Sequence, residues 1–250
     1  MIVAEIMSTR LVTVQPDDTL SHAANLLRQY QFHHLPVVRT LDVPVSAAED
    51  TAHGAHKSLR VIEGLLTAHD IDMAVAVSKS AASSDVLHQP WQERRVAEVM
   101  HRASIRVTPA TDVAAAAQML VERGLNALPV VEYEHVGEEN YAALVGLLTR
   151  SDLLIALSRS LGAYEPGMQL VIDLPLGNLT ALAQALQFAA ELRVPVRSVV
   201  AAPMEGSVPQ SATLRLGTIN PAPLLVRLRD ANISFTFAQG ESLKEGNIHA

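Results

Sequence analysis

The chain contains no cysteine, which excludes disulfides, thiolate nucleophiles and cysteine-ligated zinc and fits a reducing compartment. Aromatic residues make up only 4% of it, so no platform for stacking single-stranded bases is available and the cores are expected to be aliphatic. Positive charge is in deficit: 19 Lys plus Arg against 26 Asp plus Glu give a formal net charge of −7, without the basic footprint that a nucleic-acid backbone demands. No apolar run approaches the roughly 18 residues of a membrane span. The N-terminal Met1-Ile-Val-Ala-Glu lacks the basic region and cleavage site of a targeting peptide. A cytoplasmic chain with no nucleic-acid and no membrane partner is expected. Motifs of catalysis are also missing, with no Gly-x-Ser-x-Gly elbow, no Walker-type phosphate loop and no His-Glu-x-x-His, so the expectation is a protein without catalytic residues.

What the chain does have is a repeat. Ala4-Glu5-Ile6-Met7, Pro16, Leu35-Pro36-Val37-Val38 and Gly64-Leu65-Leu66-Thr67-Ala68-His69-Asp70 return as Ala97-Glu98-Val99-Met100, Pro109, Leu128-Pro129-Val130-Val131 and Gly146-Leu147-Leu148-Thr149-Arg150-Ser151-Asp152. The first three marks are offset by 93 residues and the last by 82, so the first unit carries an 11-residue insertion. A repeat at this scale has to be settled before the fold, and it implies a two-fold related pair of half-sites.

Periodicity divides each unit into β-α-β-β-α. In the first, Leu11 to Val14 alternates as a short strand, and Pro16-Asp17-Asp18-Thr19 carries turn and cap residues before a helix to Tyr30. Leu35 to Val38 and Arg60 to Thr67 follow as strands, and a helix runs from His69 to Val77. The second has strands over Ile105 to Val107, Leu128 to Glu132 and Ala142 to Leu148, with helices near Asp112 to Arg123 and Ser151 to Leu161. After the break at Leu161-Gly-Ala-Tyr-Glu-Pro-Gly167, strands over Met168 to Leu174, Val196 to Ala201, Ala212 to Gly217 and Ile233 to Phe237 alternate with helices over Asn178 to Val194 and Pro221 to Ala231. That β-α-β-β-α-β order is the ferredoxin-like arrangement. The expected division is 1–78 with a surface insert at about 41–59, a connector at 79–95, a second unit at 96–161, a linker at 162–167, a third domain at 168–238 and a tail at 239–250.

Two such units, each ending Gly-hydrophobic-hydrophobic-Thr-x-x-Asp, resemble a tandem pair of CBS domains, the Bateman module, over Met1 to about Leu161. The third domain resembles an ACT-type regulatory domain. Gly162-Ala-Tyr-Glu-Pro-Gly167 with Ile219-Asn-Pro-Ala-Pro223 makes the whole similar to the acetoin utilization (AcuB) family. The fold class is thus α/β (α+β), with tandem CBS repeats before a ferredoxin-like domain.

The resemblance implies a regulatory protein with no prosthetic group and no metal. Its ligand would be an adenine nucleotide (AMP, ADP or ATP) or a related adenosyl compound, its partners an unidentified target protein and a second copy in a homodimer. An ionised carboxylate accepts charge-assisted bonds from both hydroxyls of a ribose, the role implied for Asp70 and Asp152. Thr67 and Thr149 add a hydroxyl, the glycines allow close approach of backbone and ligand, and helix N-termini favour phosphate. One cleft would join Thr67, Asp70 and His33 or His34 to Met100, Ile105 and Leu125. The other would join Thr149, Asp152 and Asn126 to Met7, Val12 and Phe32. Positive charge on His33 and His34 below about pH 6.5 would make the Asp70 cleft the one for the more phosphorylated nucleotide, with Arg150 compensating in the other.

Blander readings stand beside these. Each Asp can simply cap the following helix, and the chain can be a structural adaptor whose clefts are vacant or filled by side chains. A catalytic subunit acting on acetoin or an acyl group is a third reading. His53-Gly-Ala-His56 with Asp50 has metal-like spacing but no convincing third ligand.

Overall fold

The computed structural model describes residues 1–44, 56–81, 90–203 and 208–237. The middle of the expected insert, with Asp50 and His53, the middle of the connector and the expected tail lie outside the described residues. The chain divides into two compact units, Met1–Leu153 and Leu154–Ala250.

In the first unit the repeat is visible element by element. Helix α1 (Leu20–Tyr30), the hairpin β1 (His34–Pro44) and β2 (His56–Thr67) and helix α2 (Ala68–Ala81) are followed by a two-residue strand β3 (His101–Arg102). Helix α3 (Val113–Glu122), the hairpin β4 (Ala127–Val136) and β5 (Glu139–Thr149) and helix α4 (Arg150–Ser160), in which the division between the units falls after Leu153, complete the second copy. Thr19 caps α1 by accepting from His22 N at 3.3 Å, and Asp112 caps α3 by accepting from Ala114 N at 2.8 Å. The two hairpins join through Val61 and Ala143 into one sheet ordered β1-β2-β5-β4, with β3 on β2. Each hairpin has a bulge at the equivalent place, between Val37 and Val38 and between Val130 and Val131. Residues 41–44 and 56–59, the two ends of the expected insert, extend the first hairpin, where Val43 and Leu59 are buried beside Ala143.

The strands expected at Leu11–Val14 and Ile105–Val107 are each reduced to one parallel bridge, Val14 to Val37 and Val107 to Val130. Proline chemistry accounts for this. Val14 N donates to Pro36 O at 3.1 Å and Val38 N donates to Val14 O at 2.9 Å. The next rungs on either side would need N–H groups from Pro36 and Pro16, which have none. Pro129 and Pro109 impose the same limit on the second copy.

The repeats exchange their leading segments. Val3 is fully buried among Val107, Ala116, Leu120, Leu128, Val130 and Leu148 of the second repeat, and its N–H donates to Thr111 O at 2.9 Å. Val96 is buried among Val14, Leu20, Leu27, Leu35 and Leu66 of the first repeat, and its N–H donates to Asp18 O at 2.9 Å. The aliphatic cores expected from the lack of aromatics are present, and each is completed by the other repeat.

The second unit holds β6 (Met168–Asp173), α5 (Thr180–Glu191), β7 (Val196–Val200), β8 (Ser211–Leu216), α6 (Ala222–Asp230) and β9 (Phe235–Phe237). All neighbours in its sheet, ordered β7-β8-β6-β9, are antiparallel, the ferredoxin-like topology. Alternate residues Leu170, Ile172, Ala212, Leu214 and Leu216 face Leu182, Ala185, Ala189, Leu224 and Leu228 of the helices. Leu192 follows the last residue of α5 and is 36% exposed.

Candidate functional site

The Thr-x-x-Asp signature is first of all a piece of local structure. Thr149 N donates to Asp152 Oδ2 at 2.8 Å while Asp152 N donates to Thr149 Oγ1 at 3.2 Å, a reciprocal capping box that starts α4. Thr67 and Asp70 do the same for α2, at 2.8 and 3.2 Å. Each threonine hydroxyl also donates to the same carboxylate oxygen, at 2.7 Å in the first copy and 2.6 Å in the second. The bland reading of these aspartates is therefore correct, and it leaves room for the sharper one. Oδ2 of each carboxylate takes two donors, enough for its lone pairs, and the ligand-binding capacity of each pair rests on Oδ1.

Both pairs open on one cavity of about 820 Å³, lined by Thr67, Asp70, Thr149 and Asp152 together. That size lies within the roughly 300–1,000 Å³ of small-molecule sites. His33, His34, Val12, Phe32 and Asn126 line the same cavity, so residues expected in two clefts are brought to one space. The remaining expected residues stand elsewhere. Met100 lines a separate hollow with Gln15, Pro16 and Arg102, Ile105 and Leu125 pack against the core of the second repeat, and so does Met7.

The signature glycines serve a purpose other than the ligand approach expected of them. A Cβ on Gly64 would stand 2.6 Å from His101 O and 2.8 Å from Met100 Sδ, and one on Gly146 would stand 2.5 Å from Met7 Sδ. Glycine is needed so that the exchanged segments can cross the hairpins.

Charge is distributed unevenly around the cavity. Burial holds the His34 imidazole below its ordinary pKa of 6.5, with His33 adding to that shift and Asp70 opposing it. The positive charge expected on His34 near pH 6.5 is thus withheld, because the buried cation loses its hydration. Arg150 lines the cavity, but its Nε donates to Leu125 O at 2.8 Å and its Nη2 to Leu120 O at 3.2 Å, which ties it to the end of α3. Asp70 Oδ1 meets His101 Nε2 at 2.8 Å, and Asp152 Oδ1 has no such partner among the described residues.

Sequence reasoning missed Ser8, Arg10, Gln31, His69 and His101, which also line the cavity. A signal for two of them was present, since Ser8 and His101 each follow the repeated Met7 and Met100 directly. Among the described residues no group of three or more His, Cys, Asp or Glu is placed to hold a metal ion, and no helix is long and apolar enough to cross a membrane.

Residues 3–43 and 96–159 match the CBS domain family. The chain carries a CBS-domain pair. Over 153 residues it is 25% identical to the CBS domain-containing protein YhcV of Bacillus subtilis (strain 168), covering 61% of this chain and 83% of that protein. Among solved structures, CBSX2 in complex with AMP is 21% identical and covers 62% of this chain and 95% of its own, with a TM-score of 0.42. A structure named for an acetoin utilization protein (AcuB) from Vibrio cholerae is 22% identical and covers 66% and 98%, with a TM-score of 0.44. The first matching stretch ends at residue 43, at the start of the expected insert, and the second runs into the last turn of α4.

Proposed function

We propose that this chain is a non-catalytic regulatory protein whose CBS pair binds an adenine nucleotide, or a related adenosyl compound, in the cavity between the two repeats. The observation that carries the reading is the convergence of both Thr-x-x-Asp capping boxes on that one space, with Asp152 Oδ1 left without a partner among the described residues once the cap is satisfied. A carboxylate oxygen with two lone pairs, set beside aliphatic and aromatic surface from Val12 and Phe32, offers a diol an acceptor and a base an apolar wall. The ferredoxin-like unit would serve as an ACT-type sensing or dimerising domain, with bound nucleotide shifting the population of one conformation. A role in acetoin utilisation and a cytoplasmic location belong to the same proposal.

A homodimer is part of this reading. Helix α2 exposes Met73, and α4 exposes Leu154, Ile155 and Leu157 at 42–64%, apolar surface of the kind that a second copy covers.

Calorimetric titration of the whole chain with AMP, ADP, ATP and S-adenosylmethionine tests the ligand, and sedimentation tests the dimer. Micromolar heat from at least one ligand is expected. A folded dimer that gives none leaves the adaptor reading, which one observation favours: His101 already engages the acceptor oxygen of Asp70.

A further inference from the structure

We propose that the cavity is one-sided: His101 keeps Asp70 closed to a sugar diol, so that the ribose of an adenosine-type ligand is gripped at Asp152. The inference rests on the nucleotide reading above and names which half of the site performs it.

The two halves start from matching backbone. Ser8 pairs with Leu147 of β5 just as His101 pairs with Leu65 of β2, and in each case the next step along the hairpin is the signature Thr-x-x-Asp. In both halves Oδ2 is filled by the threonine N–H and hydroxyl. What differs is the side chain facing Oδ1. The imidazole of His101 reaches Asp70 Oδ1 and its Nε2–H donates at 2.8 Å, a charge-assisted bond of the kind a sugar hydroxyl would make to the same atom, already formed within the chain. Asp70 is only 7% exposed, so a diol approaching it meets an oxygen with one lone pair already used and almost no surface beside it. Ser8, at the equivalent place, makes no bond to Asp152 among the described residues; there Asp152 Oδ1 keeps both lone pairs, and its side chain is half-buried at the cavity wall.

His101 is a displaceable guard and not a plug of the core. Its side chain is 73% exposed, so replacing it leaves the packing of the hairpin intact. The serine of the other half is the natural replacement, because His101→Ser puts the same residue at the equivalent place in both halves.

The test is titration of the full chain with AMP, in the wild type and in the Asp152→Asn, His101→Ser and His101→Ser/Asp70→Asn variants, each checked by circular dichroism and thermal melting. The wild type is expected to bind one equivalent per chain, with at least tenfold weaker binding in Asp152→Asn. His101→Ser is expected to gain a second equivalent, which the added Asp70→Asn removes. Wild-type binding indifferent to Asp152→Asn, or a folded His101→Ser with unchanged stoichiometry, overturns the one-sided cavity while leaving the nucleotide reading in place. No heat from the wild type or from His101→Ser overturns both.

Discussion

Met7 and Gly146 lie 139 positions apart in sequence, yet the methionine sulfur sits 2.5 Å from where a Cβ on that glycine would stand. Met100 bears the same relation to Gly64 in the other half, with the backbone oxygen of His101 closer still at 2.6 Å. These contacts hold the exchanged segments in place and put Ser8 and His101 on the cavity wall. The two glycines therefore differ in what a methyl group would meet. At Gly146 the nearest atom is the end of a flexible side chain and the nearest backbone oxygen, Ser8 O, is 3.3 Å away, whereas at Gly64 the obstacle is backbone. Gly64→Ala is expected to destabilise by about 1–3 kcal/mol, the usual range for overpacking, and Gly146→Ala by less. Adding Met7→Ala should recover part of the Gly146→Ala loss, while Met100→Ala should not rescue Gly64→Ala. Urea unfolding of the four single and two double variants measures this.

His34 sets a pH dependence of stability. Its pKa is lowered in the folded chain, chiefly by burial, from 6.5. As pH falls through 6.5 the unfolded chain takes up a proton that the folded chain does not, so stability falls from there down to the folded pKa and levels off below it. His34→Gln should flatten that part of the profile, without changing the loss at lower pH from carboxylates such as Glu98. Glu98 accepts from Arg95 N at 3.1 Å and has a depressed pKa for that reason first, with Arg94 adding to it. Thermal melts between pH 5 and pH 8 read the difference; equal slopes in the two proteins would remove His34 from the account.

The segment 161–167 is held to the second sheet by three bonds. Ser198 Oγ donates to Leu161 O at 3.1 Å, Arg215 Nη2 donates to Glu165 O at 2.8 Å, and Arg197 Nε pairs with the Glu165 carboxylate at 2.6 Å. The ion pair is about half exposed on both sides, so Glu165→Gln should cost no more than about 1 kcal/mol. Arg215 has a buried Nε and packs its stem against Gly162, so Arg215→Ala should loosen the segment more through lost packing. Limited proteolysis, with cleavage sites mapped by mass spectrometry, should show faster cutting within 161–167 in Arg215→Ala than in Glu165→Gln.

Much of this was legible in the residues themselves. The capping boxes follow from Thr and Asp three apart before an apolar helix, an interaction completed within one turn. The helices at Leu20–Tyr30 and Val113–Glu122 match the expected spans closely because period and caps agree. The expected first strands failed for a reason also written in the chain: Pro16, Pro36, Pro109 and Pro129 remove the donors of the neighbouring rungs. That reason becomes readable only when the partner strand and its side are known.

The sequence by itself determined the repeat, the helix starts, the aliphatic character of the cores and the presence of two carboxylates in equivalent local settings, because each depends on residues close in the chain. Tertiary structure decided that Val3 and Val96 each complete the core of the other repeat, that the two Thr-x-x-Asp pairs share one cavity, and that His101 meets Asp70 across 31 positions. Those are contacts between distant segments. Local propensity carries no term for them, and they exist only once burial has brought the two repeats together.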